Sequence, residues 1–402
     1  MFRITHYLRG LAQRQPRPSM PPPARPTGPV VIWNLIRRCN LTCKHCYALS
    51  ADHNYPGELS TAEIYAVMDD LKGFGVPVLI LSGGEPLLHP DWEAIARRSK
   101  AMGFYTGLST NGTLIDAGVA ARIADVGFDY VGISLDGLRE THDKFRRLDG
   151  AFDASLAAVR HLHAQKVKVG LRYTMTALNA HDLGPLLDLM RAEGAQKFYF
   201  SHLNYAGRGN IHRAKDAHHR ATREAMDQLF ARAWEAVQQG YDEEYVSGNN
   251  DADGPYLLQW VAQYLPHLDT TALRRRLVAW GGNSSGINVA NIDNEGRVHP
   301  DTMWWHHNLG NVRERPFSAI WPDLTDPVMA GLKRQPRPVE GRCATCAHLM
   351  ICGGNTRVRA QQTTGNPWAE DPGCYLTDEE IRAHPAGLAS RLQGEGESVM
   401  AG

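Results

Sequence analysis

The chain has no net charge: its 43 lysines and arginines are matched by 43 acidic side chains. That balance excludes the global basic field of a nucleic-acid binder, so no nucleic-acid partner is expected. No apolar run approaches the roughly 18 residues that a membrane span needs, and no membrane partner is expected either. The first ten residues, Met1-Phe-Arg-Ile-Thr-His-Tyr-Leu-Arg-Gly10, lack the apolar core of a secretory signal, which predicts a cytoplasmic protein. Cysteine is scarce and odd in number, seven in 402 residues. In a reducing compartment that pattern points to metal ligands rather than disulfides. Internal repeats are absent. The one low-complexity stretch, residues 16–29, is Pro-rich and reads as a semi-rigid linker. The Gly-, Ser- and Glu-rich tail from 386 to 402 reads as disordered.

What is present is a hydrophobic content of 43%, enough for one large domain with a smaller one attached. From Val30 onward, short apolar runs alternate with amphipathic segments. Strands are expected at 30–36, 76–81, 104–109, 130–135, 168–175 and 197–204. Helices are expected near 91–102, 116–126, 152–165 and 182–193. The first helix is marked by a capping box, Ser60 and Glu63, followed by Ile64, Val67, Met68 and Leu71 on one face. Six strand–helix units predict an α/β fold with a parallel sheet and crossover helices. Six is short of the eight of a closed barrel, so the expectation is an open, partial (βα)6 TIM-like barrel with its chemistry at the C-terminal strand ends. After Asn204 the alternation stops. Helices are expected over 212–239, 257–265 and 270–280, then a β-hairpin from 287 to 298 around Asn294-Glu-Gly296. The expected organisation is an N-terminal segment and linker (1–29), the barrel (30–205), a helical connection (206–285), a small α+β extension (286–385) and the tail.

Three cysteines, Cys39, Cys43 and Cys46, lie in Arg38-Cys-Asn-Leu-Thr-Cys-Lys-His-Cys-Tyr47, on the loop after the first expected strand. Three thiolates on one tight loop can hold three irons of a cubic cluster and leave the fourth open to a small chelating ligand. Zinc, with His45 completing the set, is the alternative, although structural zinc sites usually pair their ligands in two halves. Asn40, Thr42 and Lys44 between the cysteines argue against plain core cysteines. Four more, Cys343, Cys346, Cys352 and Cys374, can close a site completely, and here zinc is the stronger competitor.

The loop resembles the signature of the radical S-adenosylmethionine (radical SAM) enzymes. That resemblance implies a 4Fe–4S cluster whose open iron chelates SAM, and a 5′-deoxyadenosyl radical formed on reduction. It also implies the roles of residues at later strand ends. Gly83, Gly84 and Glu85, in Ser82-Gly-Gly-Glu-Pro86, match the motif that meets the methionine amino group. Ser109 and Asn111, in Ser109-Thr-Asn-Gly112, and Ser134, in Ser134-Leu-Asp-Gly137, offer contacts to ribose and methionyl groups. Arg146 matches an arginine that pairs with the SAM carboxylate; a solvated surface arginine is the other reading. The resemblance also makes Tyr47 and Leu203 candidate adenine neighbours; simple core residues at a strand end are the other reading.

The C-terminal cysteines resemble the SPASM/twitch extension, which carries auxiliary 4Fe–4S clusters. The four that hold the outer cluster are kept. Asp301 and Thr356 stand where two ligands of an inner cluster belong, so two clusters in all are expected. Loss of the inner one implies space for a large flat substrate. The combination, with Thr5-His-Tyr-Leu-Arg9 and Tyr205-Ala-Gly-Arg-Gly-Asn210, resembles the NirJ group of heme d1 biosynthesis. Those enzymes remove two propionate side chains of 12,18-didecarboxysiroheme, with hydrogen taken from the propionate β-carbon. The implied partners are that tetrapyrrole and a low-potential electron donor such as a flavodoxin or ferredoxin. Arg208, His212, Arg213, Lys215, His218, His219 and Arg220, and His299, His306 and His307 beside Trp304 and Trp305, are candidate substrate contacts. Related tetrapyrrole enzymes of the alternative heme pathway, and peptide-modifying maturases, share the architecture.

Overall fold

The computed structural model describes residues 1–13 and 28–382. The expected linker from residue 16 to 27 and the expected tail lie outside them. One sheet organises the molecule. Its strands are β1 (Val30–Asn34), β2 (Val78–Ser82), β3 (Tyr105–Thr110), β4 (Tyr130–Ser134), β5 (Val169–Met175), β6 (Lys197–His202), β7 (Glu244–Gly248), β8 (Val289–Ile292), β9 (Arg297–His299) and β10 (Gly310–Asn311). They run in the order β10-β9-β8-β1-β2-β3-β4-β5-β6-β7. From β1 to β6 each strand pairs in parallel with the next, as the six-unit pattern predicts.

The sheet continues past those six at both sides. β7 adds a parallel strand beside β6, inside the stretch expected to be only helical. Its run Glu-Tyr-Val-Ser-Gly is short and follows the polar Asp242-Glu243, which hides it from a periodicity reading. β8 pairs in parallel with β1, from Val30↔Val289 to Trp33↔Ile292, and then turns antiparallel into β9. The expected hairpin is therefore real, but its first strand is sewn to the barrel. At the far edge, Phe2 exchanges backbone hydrogen bonds with Ser247, 2.7 and 2.9 Å, so one residue of the N-terminal segment covers part of β7.

Helices clothe the outside. The helix Thr61–Gly73 starts at the predicted capping box and buries Ile64, Val67, Met68 and Leu71; each such side chain contributes roughly 1.5–3 kcal/mol. The long helix starts at His219, not 212, because Arg208–Ile211 and Arg213–Lys215 form separate short turns. The helix Arg139–Arg146 was not foreseen; it carries eight residues with few apolar ones. In β1, Val31 and Trp33 are fully buried beneath the helices, whereas Ile32 faces a central cavity. The inner wall of the barrel mixes apolar side chains such as Ile32 and Ile80 with polar ones, Arg172, Thr174, Tyr199 and Ser201. An interior of that composition is built to hold a ligand, not to be packed shut.

Candidate active site

The cysteine loop crosses the C-terminal end of β1. Cys39 and Cys43 are buried and Cys46 half-buried. All three line the central cavity, with Tyr47, Gly83, Gly84, Ser109, Asn111, Ser134, Arg146 and Leu203. The structure thus brings together every residue the sequence assigned to this site except Glu85.

Glu85 is a correction. It is fully buried behind the cavity, where its carboxylate accepts from Thr110 Oγ1 at 2.7 Å and from the backbone of Asn111 at 2.9 Å and Leu87 at 3.2 Å. Burial pushes its carboxyl up to about 7. Through these three hydrogen bonds it organises the strand-end loops, and it is not among the residues that line the cavity. The glycines before it also act differently from expectation. A Cβ on Gly84 would stand 2.2 Å from the carbonyl of Arg38, and one on Gly83 2.6 Å from that of Ile36. Their bareness lets the β2 turn press on the cysteine loop, fixed by Gly84 N–H to Ile36 at 2.6 Å and Glu85 N–H to Arg38 at 2.9 Å.

Arg146 is buried, which removes the solvated reading. Its guanidinium pairs with Asp136 and donates to Cys43 Sγ at 3.5 Å. Burial works to raise the Asp136 carboxyl, but Arg146, with His45 and His142, holds it below its ordinary value. Asp136 lies in the quoted Ser134–Gly137 stretch; only its serine had been singled out. His45 stacks on Phe145 at 4.8 Å, and burial lowers it to about 4, leaving a neutral ring.

Three donors point at the loop sulfurs. Leu41 N–H lies 3.4 Å and Asn111 Nδ2 3.9 Å from Cys39 Sγ, beside the Arg146 contact to Cys43. Burial raises the Cys39 and Cys43 thiols far above and above their ordinary values. Such sulfurs become thiolates only when a positive centre joins them, and N–H donors to them suit a cluster. Among the described residues no three metal-binding side chains converge on a single ion. A cubane asks for no such convergence, because each thiolate takes its own iron. The donor set fits the implied cluster.

The basic segment after β6 is a second correction. Arg208 does not face a substrate: its Nε donates to the carbonyl of Cys43 at 2.7 Å, its Nη2 to that of Ser50 at 2.8 Å, and its backbone N–H to Cys46 at 2.9 Å. A Cβ on Gly207 would meet the Tyr47 carbonyl at 2.3 Å. The stretch Tyr205–Asn210 is thus a clamp on the cysteine loop. Arg213, His218 and His219 instead border a second cavity, with His202, Tyr205 and Asp216. His299 is fully buried, with both ring nitrogens engaged by His307 and Asp293. His307 holds Asp326 and His306 holds Gln361. Trp304 is fully buried, and Trp305 packs on Tyr47 at 5.6 Å.

Cys343, Cys346, Cys352 and Cys374 line one small hollow with Leu349, Leu376 and Ile381. Burial pushes the Cys374 thiol up to about 11 and that of Cys352 further. Gly282, at φ +76°, lies so close to Cys352 that a Cβ would fall 2.1 Å from its carbonyl. Four half-buried sulfurs, with Arg342 the one cation among the described residues that lines the same hollow, fit a metal centre. Asp301 borders the central cavity and accepts from Ser285 and the Met303 N–H, whereas Thr356 is sealed by Asn249 and Asp371. Nearby, buried Arg337 ties Asn283, Ser285 and Gly353 together. The space expected from the lost inner cluster is open at Asp301 and filled at Thr356.

Residues 33–191 match the sequence model of the Radical SAM superfamily. The chain is 53% identical over 382 residues to the Pre-heme d1 synthase of Dinoroseobacter shibae, covering 94% of this chain and 93% of that protein. It is 44% identical to the Fe-coproporphyrin III synthase of Methanosarcina barkeri, over 89% of this chain and 90% of the relative. Among solved structures it resembles Streptococcus suis SuiB bound to S-adenosylmethionine, with TM-score 0.67, 16% identity and coverage of 87% and 78%. With three thiols at the mouth of a parallel barrel and these likenesses along nearly its whole length, the chain belongs to the radical SAM superfamily.

Proposed function

We propose that the protein removes two propionate side chains from 12,18-didecarboxysiroheme in heme d1 biosynthesis. The observation that carries this reading is the 53% identity to a pre-heme d1 synthase over 94% of the chain. Removal of tetrapyrrole side chains by a related enzyme of the alternative heme pathway is the second reading, favoured by the 44% relative.

As a radical SAM enzyme the protein uses SAM and a 4Fe–4S cluster, which when bound and reduced supply a 5′-deoxyadenosyl radical for abstraction at a propionate β-carbon. Cys39, Cys43 and Cys46 hold that cluster. Arg146, already fixed by Asp136, presents its charge to the SAM carboxylate. Ser109, Asn111 and Ser134 offer polar contacts to the ribose and methionyl groups, and Tyr47 and Leu203 flank the adenine. Gly83 and Gly84 border the methionyl end, and their close packing holds the cysteine loop there. Cys343, Cys346, Cys352 and Cys374 hold an auxiliary 4Fe–4S cluster that relays electrons. A flavodoxin or ferredoxin in the cytoplasm serves as donor.

The test is anaerobic turnover of reconstituted protein with SAM and a reductant, reading 5′-deoxyadenosine with and without 12,18-didecarboxysiroheme. Strong stimulation, with the macrocycle losing two propionate-sized masses, is the expected result. Slow cleavage indifferent to the macrocycle overturns the substrate.

A further inference from the structure

His202 ends β6 on the wall shared by the central cavity and the second cavity, and it is 5% exposed. Its Nε2 stands 3.1 Å from Asp253 Oδ2. Asp253 is fully buried and also accepts from Ser247 Oγ and, at 2.7 Å, from the hydroxyl of Tyr375. A carboxylate can only accept, so Nε2 carries the ring proton and Nδ1 keeps its lone pair. Among the described residues none bonds Nδ1, and it is not among the enclosed polar atoms that lack a partner, which leaves it reachable from a cavity that His202 lines. The ring is further steadied by Tyr375, whose plane lies 18° from it at 6.2 Å.

An imidazole with one nitrogen held by a buried carboxylate and the other free toward a cavity is the arrangement in which proteins present histidine to a metal. Among the other histidines weighed, His307 has its Nε2 on Asp326 but lines neither of these two cavities, and three more have a nitrogen already spent or enclosed. Both nitrogens of His299 are occupied, Nδ1 of His45 is enclosed, and Nε2 of His219 is spent on the Pro372 carbonyl. The rim of the second cavity carries Arg213, a cation suited to carboxylate side chains on a macrocycle, beside His218 and His219.

We propose that Nδ1 of His202 is the axial ligand to the iron of the tetrapyrrole substrate, with Asp253 as its positioning residue. The assignment deepens the tetrapyrrole reading and rests on it. Ligation through iron fixes the height and tilt of the ring, and with them which propionate faces the SAM side of the wall.

The experiment is anaerobic titration of the cluster-loaded protein with 12,18-didecarboxysiroheme and with its metal-free counterpart, read by optical spectra and by EPR of the oxidised iron macrocycle. Wild type is expected to give a nitrogen-ligated iron signal and to prefer the iron form at least roughly tenfold. His202→Gln should abolish the signal and the preference while keeping its cluster iron, and added imidazole should restore the signal. Asp253→Asn should weaken iron binding roughly 10–100-fold and serves if His202→Gln loses its clusters. If wild type binds neither macrocycle, the substrate reading and the assignment fall together. If the iron form binds and both variants leave its spectrum and preference unchanged, the assignment alone falls.

Discussion

Arg208 reaches back over the barrel mouth to the carbonyl of Cys43 at 2.7 Å, joining the end of the sixth strand–helix unit to the loop that follows the first. The same turn holds Gln362 of the C-terminal extension through Asn210 at 2.8 Å. Cysteine loop and extension therefore share one small anchor. Arg208→Ala removes two charge-assisted hydrogen bonds, each worth roughly 1.5–3 kcal/mol. The expected outcome is loss of iron from the cluster of Cys39, Cys43 and Cys46 with the auxiliary cluster retained. Iron per chain and EPR of the reduced protein check it; full iron content and an unaltered spectrum refute the clamp.

Gly84→Ala tests the close approach of the β2 turn. A methyl group cannot sit 2.2 Å from the Arg38 carbonyl, so the loop must move. The variant is expected to fold, with unchanged circular dichroism, and to lose SAM cleavage by at least about tenfold, the equivalent of 1.4 kcal/mol. Normal turnover would show that the loop yields freely.

Arg146 is predicted to act on both cluster and SAM. Arg146→Gln removes a donor to Cys43 Sγ and should lower the reduction potential of that cluster. It should also weaken SAM binding by roughly 1.5–3 kcal/mol. Asp136→Asn strands a buried cation and is expected to destabilise the fold by roughly 3–5 kcal/mol. Redox titration, SAM affinity and urea unfolding read the three effects separately.

Glu85 predicts a pH dependence of stability. Its folded carboxyl is raised from 4.5 to about 7, so between those values the native chain holds a proton that the unfolded chain has released. Stability should fall as pH rises from 4.5 to 7, by up to about 3 kcal/mol, and be flat above and below that window. Unfolding midpoints across this range should slope downward in wild type and less so in Glu85→Gln. Equal slopes would mean that the three donors to the carboxylate outweigh its burial.

Much of this site is legible in the sequence because loops at strand ends carry their chemistry in short contiguous runs. The cysteine loop, Ser109–Gly112 and Ser134–Gly137 each bring a wall of the cavity with them. What escaped was directional. A sequence shows that Arg208 is a cation after a strand, but not that its stem points back to carbonyls 165 residues earlier. Glu85 and its glycines sit in the right motif, yet packing turns one toward the protein interior and spends the bareness of the others on backbone contact. His202 gave no signal, because its meaning depends on Asp253 and Tyr375, which converge on it only in the folded chain. The strands β7 and β8 were missed as barrel members because short runs acquire their neighbours from tertiary pairing.

The parallel pairing of β8 with β1 sets an order of assembly. The strand that leads into the cysteine loop is bordered on one side by residues far along the chain; Asn291, which bonds Ile32, comes 259 residues later. During synthesis β1 keeps an unpaired edge until β8 has left the ribosome, and such an edge invites pairing with other chains. Iron delivered earlier would meet a loop whose strand still lacks its second neighbour. Stable loading of the cysteine loop is therefore expected only once the C-terminal part has arrived, and expression hosts that load clusters slowly should yield more intact enzyme than those that load them during translation.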